Sequence, residues 1–306
     1  MQDIDQVQVN FDSDALWVMN IALAVVMFGV ALGISVNDFK SLLKEPKVVL
    51  IGILSQFVLL PFITFLVILA VKPLPSIALG MMMVAACPGG NVSNFMTHLA
   101  KGNAALSVSL TAFSTCIALV MTPFNFQFYG NLYEPTSYLL KEVALSPMDL
   151  IKVVLLIVGI PLFVGIFVRY YTPRLAIKLS KILQPFSILV FIVIVGIAFS
   201  KNIDVFKTHI LDVFYLGVGH NILALALGFY VAKGFKLSFK NQKTLALETG
   251  IQNSGLGLVL IFTFFDGLGG MAIIAAFWGI WHIISGLLLA FYWAKQTKII
   301  HEIKTV

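Results

Sequence analysis

Long, continuous apolar runs alternate with short polar connections along the whole chain. Nine runs stand out, at residues 15–36, 48–71, 77–100, 104–128, 150–168, 182–200, 213–231, 244–265 and 271–294. Each is close to the ~20 residues that carry an α-helix across roughly 30 Å of hydrocarbon. The runs are continuous rather than alternating, so the pattern predicts membrane-crossing helices and argues against a β-barrel. Residues 129–149 form the one long connection. Pro61, Pro123, Pro161 and Pro185 fall in or near the runs, and neighbouring helices are expected to satisfy the backbone groups they free. The expected fold class is an all-α polytopic membrane protein with nine transmembrane helices.

Two runs are interrupted. CPGGNVSN, residues 87–94, lies in the third, and ETGIQNSG, residues 248–255, lies in the eighth. Pro, Gly, Asn and Ser are poor helix formers, so both helices should break there. Each break is followed by an apolar segment, a Gly-containing turn (KGN at 101–103, DGLGG at 266–270) and one more run. Successive runs cross in opposite directions, so the third and eighth are antiparallel, and runs 2–4 and 7–9 read as inverted repeats. Paired interruptions in inverted halves mark the binding site of a secondary transporter.

Charge sets the orientation. The connections at 37–47, 101, 169–181 and 233–243, together with the tail from 295, carry +12, whereas the opposite side carries −5. The positive side is expected to be cytoplasmic. Residues 1–14, with four Asp and neither Lys nor Arg, form an extracytoplasmic tail with no signal-peptide pattern, and residues 295–306 form a cytoplasmic tail. The expected location is a plasma or bacterial inner membrane. With 59% hydrophobic and 11% charged residues, the chain departs far from the roughly 25% charged of soluble domains. The net charge of +6 is explained by orientation, which removes the case for a nucleic-acid partner. Cys87 and Cys116 both fall in apolar runs and read as core residues, with no transition-metal spacing. No nucleophile–base motif suggests an enzyme. A match to the glycosylation pattern at Asn91–Ser93 would lie within the membrane and is discounted.

Glu248 is the acid placed inside a run, and an intramembrane charge is a functional residue by default. A broken helix offers free carbonyls to cations at one new end and free amides to anions at the other. Two breaks crossing at mid-membrane would serve both. Ser93 and Asn94 follow the first break, and Ser107 and Thr111 share a face of the next helix. Gln56 and Gln252 add amide oxygens, and Glu248 adds the charge. This all-oxygen set suits Na⁺ or another hard ion. The amides at Asn91 and Val92 remain for an anion.

PGGNVSN, the following KGNAALSVSLT and the later ETGIQNSG together resemble the bile acid:sodium symporter family, over nearly the whole span from Ala15 to Trp293. The resemblance is to its nine-span form. It implies a panel domain of residues 15–36 and 150–200 and a core domain of residues 48–128 and 213–294. It implies a first Na⁺ site of Ser93, Asn94, Ser107, Thr111 and Glu248, and a second of Gln56, Glu248, Gln252 and the carbonyls of Thr249 and Ile251. It places an organic anion near Asn91, Val92 and Asn253, with His282 nearby. The activity implied is Na⁺-coupled import of a bile acid or smaller carboxylate by alternating access, without an organic cofactor and with membrane lipid as its surroundings. The alternative on the same architecture is a proton-coupled or metalloid transporter, with Glu248 carrying a proton or Cys87 and Cys116 binding a thiophilic ion.

Overall fold

The computed structural model describes residues 13–42, 44–142, 147–201 and 203–305, and every regular element among them is helical. Helix α1 (Ser13–Ala31) is followed by the short α2 (Val36–Leu42). Helix α3 (Pro46–Ile53) runs through a π-helical turn at Leu54–Leu59 into α4 (Leu60–Val71). Next come α5 (Pro75–Ala86), α6 (Val92–Leu99), α7 (Ala104–Leu132), α8 (Glu134–Glu142) and α9 (Pro147–Val154). A second π-helical turn at Leu155–Gly159 leads into α10 (Ile160–Tyr171). The chain continues through α11 (Pro173–Lys201), α12 (Ile203–Gly234), α13 (Phe239–Gly250), α14 (Ser254–Phe264) and α15 (Gly269–Thr305). Among the described residues, four helical stretches are long and apolar enough to cross a membrane: Pro46–Val71, Ala104–Leu132, Val213–Gly234 and Gly269–Gln296. The interrupted third and eighth runs each divide into two shorter helices.

Several boundaries differ from the hydropathy pattern. The first run holds its helix only to Ala31, where Leu32, Gly33 and Ile34 turn back onto the carbonyls of Phe28, Val30 and Ala31. The expected connection at 201–212 is helical from Ile203 onward, as the first turns of α12. The long connection at 129–149 starts as the end of α7 and continues as α8, with Thr136 Oγ1 donating to Gly130 O at 2.6 Å. Hydropathy marks where an apolar stretch stops, whereas a helix keeps its internal hydrogen bonds past that point. Residues 1–12 of the expected outer tail lie outside the described residues.

Each π-helical turn ends two residues before a proline, Pro61 or Pro161. Proline has no N–H to give the carbonyl four residues back. For Pro61 that carbonyl is Phe57 O, and Asn125 Nδ2, from α7, donates to it at 2.8 Å. The widened turn also carries Ser55 and Gln56, both buried.

Helix α1 packs on α10 and α11, α12 on α13 and α15, and α5 on α7 and α15. The innermost pieces are two half-helices: Ser76–Ala86 of α5 is buried throughout, as is Leu256–Phe262 of α14. Large apolar side chains are exposed on outer helices, such as Phe62, Leu66 and Leu69 on α4 and Phe163 and Phe167 on α10. Burial of the polar breaks inside an apolar exterior is the arrangement a bilayer imposes on irregular backbone.

Candidate functional site

Both interruptions are real breaks, and they lie against each other. Helix α5 stops at Ala86 because Cys87 turns extended (φ −69, ψ 156), as expected of a residue before proline. Helix α13 stops at Gly250, and Ile251 is likewise extended (φ −111, ψ 97). The two short extended segments run antiparallel, with Gly89 opposite Gln252. Gly90 N donates to Ile251 O at 2.8 Å, and Asn253 N donates to Pro88 O at 2.8 Å. Only glycine allows this approach. A Cβ on Gly89 would lie 2.6 Å from Glu248 Oε1, and one on Gly90 would lie 2.9 Å from Gln252 O.

Carbonyls left over at the broken ends are taken up by side chains. Thr122 Oγ1 donates to Ala86 O at 2.7 Å, and Gln56 Nε2 donates to Cys87 O at 2.9 Å. Asn221 Nδ2 donates to Gly250 O at 2.8 Å, and Gln252 Nε2 donates to Thr249 O at 2.6 Å. Helix α14 restarts under an N-cap, Asn253 Oδ1 accepting from Leu256 N at 3.1 Å, a role for which Asn is favoured.

Glu248 is the centre of the polar cluster and is 5% exposed. Its Oε2 accepts from Ser93 Oγ at 2.7 Å and from Ser107 Oγ at 3.2 Å, and its Oε1 accepts from Thr111 Oγ1 at 2.6 Å. Asn94 Oδ1 lies 2.8 Å from Ser107 Oγ and 3.1 Å from Thr111 Oγ1. All five residues expected around a first cation are therefore in mutual contact, drawn from α6, α7 and α13. The second expected group assembles around Gln56 and Gln252. Gln56 Nε2 donates to Gln252 Oε1 at 2.8 Å, and Ser55 Oγ lies 3.0 Å from Thr249 Oγ1. Gln56 Oε1 is buried with no hydrogen-bond partner, an acceptor whose burial is costly unless something positive meets it. Ile251 O already receives the Gly90 amide and keeps its second lone pair. A small cavity reaches this region between Gly52, Gln56, Leu110, Ser114, Glu248 and Thr249.

The four residues expected at an anion are distributed around the crossing. Asn91 and Val92 open α6, with Ser93 N and Asn94 N bonded back to Gly90 O and Asn91 O. Asn253 uses its oxygen as the cap of α14, while its Nδ2 faces Met27 Sδ of α1 at 3.9 Å. His282, buried on α15, lies with Nδ1 3.3 Å from Ser254 Oγ. Cys87 is buried and Cys116 half-buried, and both are free. Among the described residues, no three His, Cys, Asp or Glu side chains gather as a metal site.

Sequence reasoning missed Ser55, Thr122, Asn125, Asn221 and Ser285. Each is a polar residue within a largely apolar helical stretch. Such a residue announces a buried partner, but which carbonyl it meets depends on helix packing.

Residues 20–209 match the Sodium Bile acid symporter family. An uncharacterized sodium-dependent transporter of Bacillus subtilis (strain 168), YocS, is 34% identical over 292 residues, covering 94% of this chain and 88% of the relative. The ileal sodium/bile acid cotransporter of Mus musculus is 32% identical over 241 residues, covering 78% of this chain and 67% of the relative. A probable sodium/metabolite cotransporter of Arabidopsis thaliana chloroplasts, BASS1, is 28% identical, covering 90% of this chain and 66% of that longer protein. Among solved structures, a sodium proton antiporter from Methanocaldococcus jannaschii aligns with a TM-score of 0.57 at 14% identity, over 93% of this chain and 87% of that one. At that identity the likeness is one of fold.

Proposed function

The chain belongs to the Sodium Bile acid symporter family, and on that premise we propose that it imports an organic carboxylate together with Na⁺ by alternating access. As a member of a transporter family it is an integral membrane carrier and not an enzyme. The observation that carries the Na⁺ reading is the convergence of Ser93, Asn94, Ser107 and Thr111 on Glu248 beside two crossed helix breaks. Hydroxyl, amide and carboxylate oxygens are ligands for a hard cation.

One Na⁺ is assigned to Ser93, Asn94, Ser107, Thr111 and Glu248. A second is assigned to Gln56, Gln252, Glu248 and the carbonyls of Thr249 and Ile251. The unpartnered Gln56 Oε1 supports that second assignment. The hydroxyls that now donate to Glu248 would turn their lone pairs to the cations, and Glu248 would balance the charge. The anionic group of the substrate is assigned to the amide end of the first break, at Asn91 and Val92, near Asn253 and with His282 nearby. A helix N-terminus attracts anions, and Asn253 faces Met27 of α1, so this subsite lies toward α1.

Nine spans with the N-terminus outside are assigned from hydropathy and charge. α1, α10 and α11, which pack on one another, form the panel, and the elements carrying the breaks form the core. Movement of the core against the panel would expose the crossing to each side in turn. Each net positive charge carried inward is worth about 2.3 kcal/mol per 100 mV of membrane potential. Two Na⁺ with one monoanion would therefore make import electrogenic. Purified protein in liposomes, screened against organic anions under an inward Na⁺ gradient, tests the proposal. Uptake should stop when K⁺ replaces Na⁺; equal uptake in K⁺ would overturn it.

A further inference from the structure

A second polar network lies behind the crossing, on the side of α12 and α15. Asn221, on α12, is fully buried. Its Nδ2 donates to Gly250 O at 2.8 Å, and its Oδ1 accepts from Ser285 Oγ of α15. The amide orientation follows from the partners, because Gly250 O can only accept. Ser285 follows His282 by one helical turn, and its Oγ is also 3.2 Å from His282 O. The His282 ring in turn meets Ser254 Oγ at 3.3 Å. The two ends of the second break, Gly250 and Ser254, are thus held by one chain of contacts through Asn221, Ser285 and His282.

The fit of α13 on α12 is close at the same place. A Cβ on Gly250 would lie 2.2 Å from Leu225 Cδ2, and one on Gly228 would lie 2.3 Å from Leu245 O. Asn221, Leu225 and Gly228 share a face of α12, at helical spacings of four and three. Asn221 is the polar point on that face, and it lies where α13 stops. Gly250 O is flanked by Thr249 O and Ile251 O, the two carbonyls assigned to the second cation. Peptide units are planar, so anchoring Gly250 O fixes the plane between residues 250 and 251. That in turn constrains the carbonyls on either side.

We propose that Asn221 and Ser285 are positioning residues: they hold the Gly250 carbonyl away from the cation so that Thr249 O and Ile251 O face it, and they link that site through α15 to His282. The inference rests on the Na⁺ reading above. Ser285 acts through Asn221 and not on the cation directly. The link between the Na⁺ and anion subsites is then a coupling free energy carried by a defined set of contacts.

The test uses the full-length protein in detergent, titrated with Na⁺ alone against K⁺ at constant ionic strength, with thermal stability as the readout. The Na⁺ concentration for half-maximal stabilisation should rise about fivefold in Ser285→Ala and about tenfold or more in Asn221→Ala, as for loss of a buried hydrogen bond. Ser285→Thr keeps the hydroxyl and should restore the wild-type value. The double variant should match Asn221→Ala alone, because residues acting as one unit are not additive. A merely structural role predicts variants less stable in K⁺ with the Na⁺ half-saturation unchanged. That result, or a double variant whose shift is the product of the two single shifts, overturns the proposal. If Asn221→Ala does not fold, the contrast between Ser285→Ala and Ser285→Thr decides: a shift only in the former upholds the proposal, and no shift in either overturns it. Wild-type protein unresponsive to Na⁺ would reject the Na⁺ reading itself and this inference with it.

Discussion

Replacing Gly89 with alanine isolates the geometry of the crossing from its chemistry. The substitution adds one methyl group and removes no ligand. Gly89 does not have a positive φ, so alanine can adopt its backbone conformation and strain is not the cause of any effect. The added Cβ would lie 2.6 Å from Glu248 Oε1 and 3.1 Å from Glu248 Cδ. Restoring ordinary contact moves the carboxylate by about 0.8 Å, beyond the roughly 0.5 Å tolerance of a preorganised site. The Thr111–Glu248 contact, now 2.6 Å, would stretch past hydrogen-bonding length. The carboxylate would then no longer sit where Ser93, Asn94, Ser107 and Thr111 converge, and Na⁺ affinity should fall by about 10–100-fold, the usual cost of disturbing what orients a metal ligand. Na⁺-dependent thermal stabilisation of purified protein measures this directly, with K⁺ as the control. Gly89→Ala protein with wild-type half-saturation for Na⁺ would refute the argument that the crossing sets Glu248 in place.

Asn125→Ala should destabilise the fold by about 1–3 kcal/mol by stranding Phe57 O, and adding Pro61→Ala should recover part of the loss by returning an N–H to the helix; thermal unfolding of both variants checks this. Thr122→Val keeps the shape of the side chain but leaves Ala86 O without its donor, so it should lower stability and shift Na⁺ half-saturation several-fold, seen in the same titration. A cysteine at the exposed Lys236, in a background lacking Cys87 and Cys116, should react with an impermeant thiol reagent only from the cytoplasmic side; labelling of intact cells would reverse the assigned orientation.

The two breaks were legible because their residues conflict with their surroundings. Pro88, Gly89 and Gly90 cannot continue a helix that the flanking apolar residues demand. Glu248 was legible as a charge where charge is expensive. Contact between the two breaks was an expectation of the inverted halves read from hydropathy, and the antiparallel pairing of Gly89 with Gln252 agrees with it. The partners of the freed carbonyls were not legible. Thr122, Asn125 and Asn221 look like any polar residue in an apolar helix, and the carbonyl each one meets is set by rotation and depth of packing. The helical course of residues 203–212 was hidden for another reason. Asp204, Lys207 and Asp212 end the hydropathy signal, yet charged side chains do not end a helix. The capping role of Asn253 was also concealed, because its expected role at an anion and its observed hydrogen bond to Leu256 N use the same side chain.

Equilibrium binding of radioactive sodium to purified wild-type and Glu248→Gln protein bears most directly on the central claim, that Na⁺ binds at the crossing of the two breaks. Wild-type protein should bind sodium saturably, displaced by unlabelled Na⁺ but not by K⁺, and Glu248→Gln should lose that binding while remaining folded. Equal saturable binding by the two proteins would contradict the claim.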